Sequence, residues 1–170
     1  MVINANEPLV SVRQKILTAL NEEKASLEHE LTETRAKKAA KEEEKRAAAK
    51  QGDLSENAEY HAAIEELIPL TERIADLEVK YVAFNSSSYQ SLITPTERNY
   101  IDIGSVVRLK LADGTRFVWM LVPSTLARLD MYTLSEDSPV GSHLPGMNAG
   151  SSFTVNIKGR THKYTIEEVL

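Results

Sequence analysis

Between Leu9 and Lys50 the chain contains neither glycine nor proline, and Ala, Glu, Lys, Arg and Leu dominate the composition. These are strong helix formers, and nothing inside the segment supplies a stop, so the run predicts one long helix. Its apolar positions Leu9, Val12, Ile16, Leu20, Leu27 and Leu31 follow a 3/4 spacing with a gap at Glu23 and Lys24. A stripe this narrow suits a single partner helix rather than a broad globular face. Beyond Leu31 it thins to Thr34 and alanines, which predicts a slender, mostly solvated distal end.

Gln51-Gly52 interrupts the pattern, and a second helical stretch to about Val82 follows, with Tyr60, Ile64, Leu67, Thr71, Ile74, Leu77 and Tyr81 at similar spacing. The two helices are expected to pair antiparallel around the glycine. At 1.5 Å per residue the second helix alone makes an arm of about 45 Å, longer than its own burial requires. Pro69 inside it is expected to remove one backbone hydrogen bond and bend the helix.

Composition changes near residue 83. Up to Val82 there are 12 basic and 17 acidic residues, net -5; from Ala83 onward there are 8 of each. Six of the seven glycines and four of the six prolines lie in the second part. After Asn85-Ser86-Ser87-Ser88, read as a linker, come short runs rich in β-branched and aromatic residues: Ser105 to Leu111, Arg116 to Val122, Met131 to Leu134, Ser152 to Ile157 and Lys163 to Ile166. Turns such as Asp113-Gly114 and Lys158-Gly159 bound them. The expectation is an α+β chain, with a helical hairpin over residues 1–83 and a small sheet domain over 84–170. Ser135 to Asn148 reads as a loop with room for one short helix.

The net charge of -5 argues against a protein that coats duplex nucleic acid through bulk positive charge. With no cysteine, disulfides, thiolate metal sites and cysteine nucleophiles are excluded. No apolar run approaches the ~20 residues of a membrane span, and Met1 to Ala19 lacks the pattern of a secretory signal, so a cytoplasmic protein is expected.

The run Gly52-Asp53-Leu54-Ser55-Glu56-Asn57-Ala58-Glu59-Tyr60-His61-Ala62-Ala63 holds the chemistry. Asp53 and Glu56 lie three apart at the expected start of the second helix, on one face at the end of the arm. Hard oxygen ligands suit Mg²⁺, which usually takes one or two carboxylates and leaves its other positions to water and phosphate. Two acids do not close a site, but they can complete one that another molecule half supplies. The same spacing is also the acidic form of a capping box, and both acids favour the positive end of the helix dipole. Spacing by itself does not decide between a cap and a donated metal site.

The stretch Gly52 to Ala63 resembles the tip signature of the bacterial GreA/GreB transcript cleavage factors: a glycine, an acid, leucine, a variable residue, then Glu-Asn-Ala-Glu-Tyr-His-Ala-Ala. Arg73-Ile74-Ala75-Asp76-Leu77-Glu78 is similar to the family's second helix. Ile103-Gly104-Ser105-Val106-Val107, Ser138-Pro139-Val140-Gly141 and Tyr164-Thr165-Ile166 fall where the family has comparable segments. The resemblance, closer to the GreA members, implies an antiparallel coiled-coil hairpin followed by an FKBP-like β domain. It also implies a partner, RNA polymerase, whose secondary channel admits the hairpin while the β domain docks at its mouth. Backtracked RNA extruded into that channel is then hydrolysed by the polymerase's own active site, so the factor is not itself an enzyme. Asp53 and Glu56 match the family's two tip acids, which help hold the second Mg²⁺ and its attacking water. Ser55, Asn57 and Tyr60 are expected to support the tip. The chain departs from the family at Val10 to Lys15, which lacks the usual glycine-containing start, and at Leu67-Ile68-Pro69-Leu70.

Arg35, Lys37, Lys38, Lys41, Lys45, Arg46 and Lys50 form a locally basic stretch interrupted by Glu42, Glu43 and Glu44. The resemblance makes Lys38, Lys41, Lys45, Arg46 and Lys50 candidates for contact with extruded RNA; the alternative is a solvated face stitched by pairs such as Glu42 with Arg46. His29, His61, His143 and His162 are scattered without metal-ligand spacing, and Trp119 reads as core. Two other functions stay open beside transcript cleavage: a channel-binding regulator that does not promote cleavage, and a coiled-coil adaptor whose tip acids only cap a helix. Because the hairpin can satisfy its own stripe, a monomer is expected.

Overall fold

The computed structural model describes residues 2–50, 57–94 and 100–170. They divide into two compact units, one of residues 1–22 with 83–170 and one of residues 23–82.

The second unit is built from helix α1, Leu9–Ala49, and helix α2, Ala58–Phe84, each running beyond the unit at its other end. Pairing is antiparallel: as the α1 partner advances from Glu28 to Lys41 to Ala48, the α2 partner retreats from Tyr81 to Glu66 to Asn57. The inward positions of α1 are Leu27, Leu31, Thr34, Lys38, Lys41, Lys45 and Ala48, all buried or half-buried. Those of α2 are Ala63, Leu67, Leu70, Ile74, Leu77 and Tyr81. Both rows alternate strictly between steps of four and three, the seven-residue repeat of a coiled coil. Thr71, expected on this stripe, is exposed, and Leu70 takes the place because only that phase keeps the alternation. Pro69 stays within a continuous α2 on its exposed side, where its missing N–H and its ring meet solvent rather than the seam.

In the first unit, five strands form one sheet: β1 Val106–Leu111, β2 Arg116–Val122, β3 Thr133–Ser135, β4 Ser152–Ile157 and β5 Arg160–Val169. Their order is β3-β2-β1-β5-β4. β2, β1, β5 and β4 pair antiparallel, and β3 joins β2 in parallel alongside Met120 to Val122. Alternation puts Val107, Leu109, Leu121, Phe153, Val155, Tyr164 and Ile166 on one face, where Ile101, Val140 and Leu144 close the core. Phe117 and Trp119 stack at 4.8 Å at its margin. The loop after β3 carries the expected short turn of helix at Gly141–His143. Gly141 cannot be replaced there, since a Cβ would lie 1.9 Å from the Ser135 carbonyl oxygen.

The expected linker at residues 85–88 is instead the start of helix α3, Ser87–Ile93. Ser86 is its N-cap: the Oγ accepts from the Tyr89 N–H at 3.2 Å, a bond characteristic of serine at helix starts. Tyr89 and Leu92, three apart, are both buried. Arg108 of β1 ties the N-terminal segment to the sheet, donating from Nε to the Ala5 carbonyl at 2.8 Å and from its other nitrogens to the Glu7 carbonyl and the Glu168 carboxylate.

Candidate functional site

The loop end of the hairpin is held by Asn57. Its Oδ1 accepts from the Tyr60 N–H at 3.0 Å, which caps α2, and its Nδ2 donates to the Ala48 carbonyl at 2.8 Å, in the last turn of α1. One amide thus satisfies an orphan donor of one helix and an orphan acceptor of the other. Ala48 and Ala63 are buried nearby in the sequence of each helix, and small side chains at seam positions permit close backbones there. Asp53, Ser55 and Glu56 lie outside the described residues.

Tyr60 is half-buried on the inner side of α2. The Lys45 Nζ stands 5.6 Å from the centre of its ring, within reach of a cation–π contact, and His61 meets it edge-on at 5.8 Å. The basic stretch is therefore placed differently from a free cationic face. Lys38, Lys41 and Lys45 occupy seam positions, so their alkyl stems cover the junction while their ammonium groups reach its edge. Lys41 Nζ bonds Glu44 at 2.7 Å and, across the hairpin, Glu66 at 2.9 Å; these bonds, Glu44 first, raise its pKa above the usual lysine value. Lys38 lies 3.9 Å from Glu42, and Arg46 is paired with Glu43 rather than with Glu42. Lys37 and Lys50 are exposed.

Glu66 as the interhelical partner of Lys41 is not visible from the first helix alone; it follows only once the antiparallel register is known. The Asn57 cap does have a sequence signal, an asparagine immediately before the helical period of Tyr60, Ala63 and Leu67. Among the described residues, no group of three or more His, Asp or Glu side chains is arranged to hold a metal ion. No helix among them is long and apolar enough to cross a membrane. The tip offers two carboxylates, Asp53 and Glu56, a donor set that suits a hard cation such as Mg²⁺ only when water, phosphate or another protein fills the remaining positions.

Two family profiles match consecutive parts of the chain: "Transcription elongation factor, N-terminal" over residues 16–82 and "Transcription elongation factor, GreA/GreB, C-term" over residues 96–170. The transcription elongation factor GreA of Chlorobaculum parvum is 39% identical over 113 residues, covering 65% of this chain and 69% of the relative. GreA of Bradyrhizobium diazoefficiens is 37% identical over 119 residues, covering 69% and 73%. GreA of Dehalococcoides mccartyi is 30% identical over 144 residues, covering 84% and 90%. Among solved structures, the GreA factor homolog 1 of Thermus thermophilus aligns over 86% of this chain and 94% of its own, with 20% identity and a TM-score of 0.38.

Proposed function

Because the chain belongs to the GreA/GreB transcription elongation factor family, we propose that it enters the secondary channel of bacterial RNA polymerase and stimulates the polymerase's own cleavage of backtracked RNA. The observation that carries this reading is the coincidence of three things: profile matches to both parts of the family, the contiguous tip signature from Gly52 to Ala63, and a two-helix arm that ends at that signature. The chain is a cofactor of the polymerase rather than an enzyme, acts in the cytoplasm, and works as a monomer.

Asp53 and Glu56 are the residues that hold the second Mg²⁺ together with the polymerase. Held there by Asp53 and Glu56 together with the polymerase, such a metal would supply an activated water and charge stabilisation for the leaving oxygen. The chain's own contribution is positional. Asn57 fixes the loop ends so that the acids arrive on a defined stalk, and Tyr60, backed by Lys45, stiffens the first turn of α2. Lys50 and the upper edges of Lys38, Lys41, Lys45 and Arg46 offer positive charge to the phosphates of the extruded RNA. Since Lys41, Lys38 and Arg46 already hold glutamates, RNA must displace those pairs, which leaves the exposed Lys50 as the readiest contact of the group.

RNA cleavage in stalled elongation complexes tests the reading. The chain is expected to shorten backtracked transcripts from their 3′ ends. Polymerase binding with no added cleavage across a Mg²⁺ titration selects the non-cleaving regulator instead, and no polymerase association at all selects the adaptor.

A further inference from the structure

The seam between the two helices of the arm is not packed evenly along its length. At the end away from the loop it holds Leu27 and Leu31 of α1 with Leu77 of α2, all buried. Polar links cross the helices there as well: the Tyr81 hydroxyl donates to Glu28 at 3.1 Å, the Arg73 Nε to Glu30 at 2.8 Å and the Arg35 Nη2 to Glu78 at 2.7 Å. At the loop end Ala48 and Ala63 are buried, and Asn57 bonds the Ala48 carbonyl. Between Thr34 and Ala48, by contrast, α1 buries no residue, and its seam positions are Lys38, Lys41 and Lys45.

The leucines of α2 register the difference. Leu77 is fully buried, whereas Leu67 and Leu70, which the Lys41–Glu66 pair places level with the lysines, are only half-buried. A lysine stem that must also carry its ammonium group to water covers such a leucine without enclosing it, so fewer dispersion contacts form. The Lys41–Glu66 pair itself, at 2.9 Å, is partly solvated and adds little. Pro69 lies in the same stretch. It has no N–H, so the Glu65 carbonyl, four residues earlier, is without its helical donor.

We propose that the arm contains a compliant joint at its middle, spanning residues 35–44 of α1 and 65–72 of α2, where the helices part locally while the packed sections on either side stay closed. Local opening takes the least free energy where buried apolar contacts are fewest. An arm built this way yields at its centre rather than at its ends when it meets a surface.

Native-state amide hydrogen exchange of the full chain, resolved residue by residue by NMR, tests the joint. Amides of residues 36–44 and 66–72 are expected to exchange ~10-fold faster than those of 27–33 and 74–80 on one side and those of 45–48 and 61–63 on the other. Exchange that rises steadily toward the loop is fraying from the end and overturns the proposal, as does a single rate throughout. Lys38→Leu combined with Lys41→Leu fills the seam, and is expected to slow the middle amides ~10-fold while those of 27–33 change less than ~2-fold. Equal slowing along the whole arm means that it opens as one unit and also overturns the proposal. Pro69→Ala leaves the lysines in place and restores the donor to the Glu65 carbonyl, so it is expected to slow the same middle amides by a smaller factor. Middle amides that respond to neither variant contradict the joint.

Discussion

Asn57 spans the two helices of the arm, donating to the Ala48 carbonyl of α1 at 2.8 Å while its Oδ1 accepts the Tyr60 N–H of α2 at 3.0 Å. The tip signature thus contains a structural clamp immediately after its second acid. The bond to the Tyr60 N–H at the start of α2 is made by Asn57.

Replacing Asn57 with Ala removes the cap and the cross-helix bond together. Loss of an N-cap costs about 0.5 to 2 kcal/mol, and a neutral hydrogen bond contributes about 0.5 to 1.5 kcal/mol more. Thermal unfolding followed by circular dichroism is expected to show the arm melting earlier. Asn57→Asp keeps the capping oxygen and loses only the donor, so it is expected to fall between the two.

Gly104 and Gly114 form an internal control for the contact with α3. Both have positive φ, +92 and +89, but a Cβ at Gly104 meets Leu92 while one at Gly114 meets nothing within 4 Å. Gly114→Ala is expected to cost only backbone strain, about 1 kcal/mol. Gly104→Ala adds a tight contact of its Cβ with the Leu92 Cα at 3.3 Å and is expected to cost somewhat more, read as a larger drop in the denaturant midpoint at unchanged slope.

On the sheet, Arg116 chelates Glu167 at 2.7 and 3.0 Å, and Lys110 stands 3.7 Å away, which holds the Glu167 carboxyl below the usual glutamate range. Asp113, through the Thr115 backbone N–H, and Asp130, through Arg128, are lowered in the same direction. A carboxyl whose folded pKa is depressed contributes stability above its unfolded pKa and loses it as pH falls through the folded value. Stability is therefore expected to decline on the acid side, starting within the ordinary carboxylate range. Glu167→Gln is expected to flatten that decline by lowering stability near neutrality while leaving it little changed at low pH, and the effect is small because the pair is solvent-screened. Urea titrations between pH 3 and pH 7 check this.

Much of the architecture is legible in the residues, for identifiable reasons. β1, β2 and β4 lie close to where β-branched alternation and the Asp113-Gly114 and Lys158-Gly159 turns put them. β5 is longer than expected because Arg160, Glu167 and Glu168 continue the strand through ion pairs and exposure, which hydrophobic alternation does not register. β3 starts two residues later than expected, after Tyr132 takes a left-handed backbone at φ 56. Helix α3 was hidden by its own cap: three serines resemble a linker, and seven residues with only Tyr89 and Leu92 inward are too few for a helical period to show. Along the arm, a hydrophobicity stripe ends at Leu31, yet the packing row continues through Thr34, Lys38, Lys41 and Lys45, since lysine stems fill a seam that an apolar count leaves empty. The candidate acids were legible only through the tip signature, and their spacing matched two chemistries equally well.

Stalled, backtracked elongation complexes titrated with Mg²⁺, in the presence of the unsubstituted chain or of the double variant Asp53→Asn, Glu56→Gln, test the central claim most directly. The unsubstituted chain is predicted to accelerate cleavage and to lower the Mg²⁺ concentration needed for it. The double variant is predicted to bind the polymerase as well, to lose on the order of 100-fold of the acceleration, and to regain part of it at high Mg²⁺. Equal acceleration by the two proteins at every Mg²⁺ concentration would contradict the account.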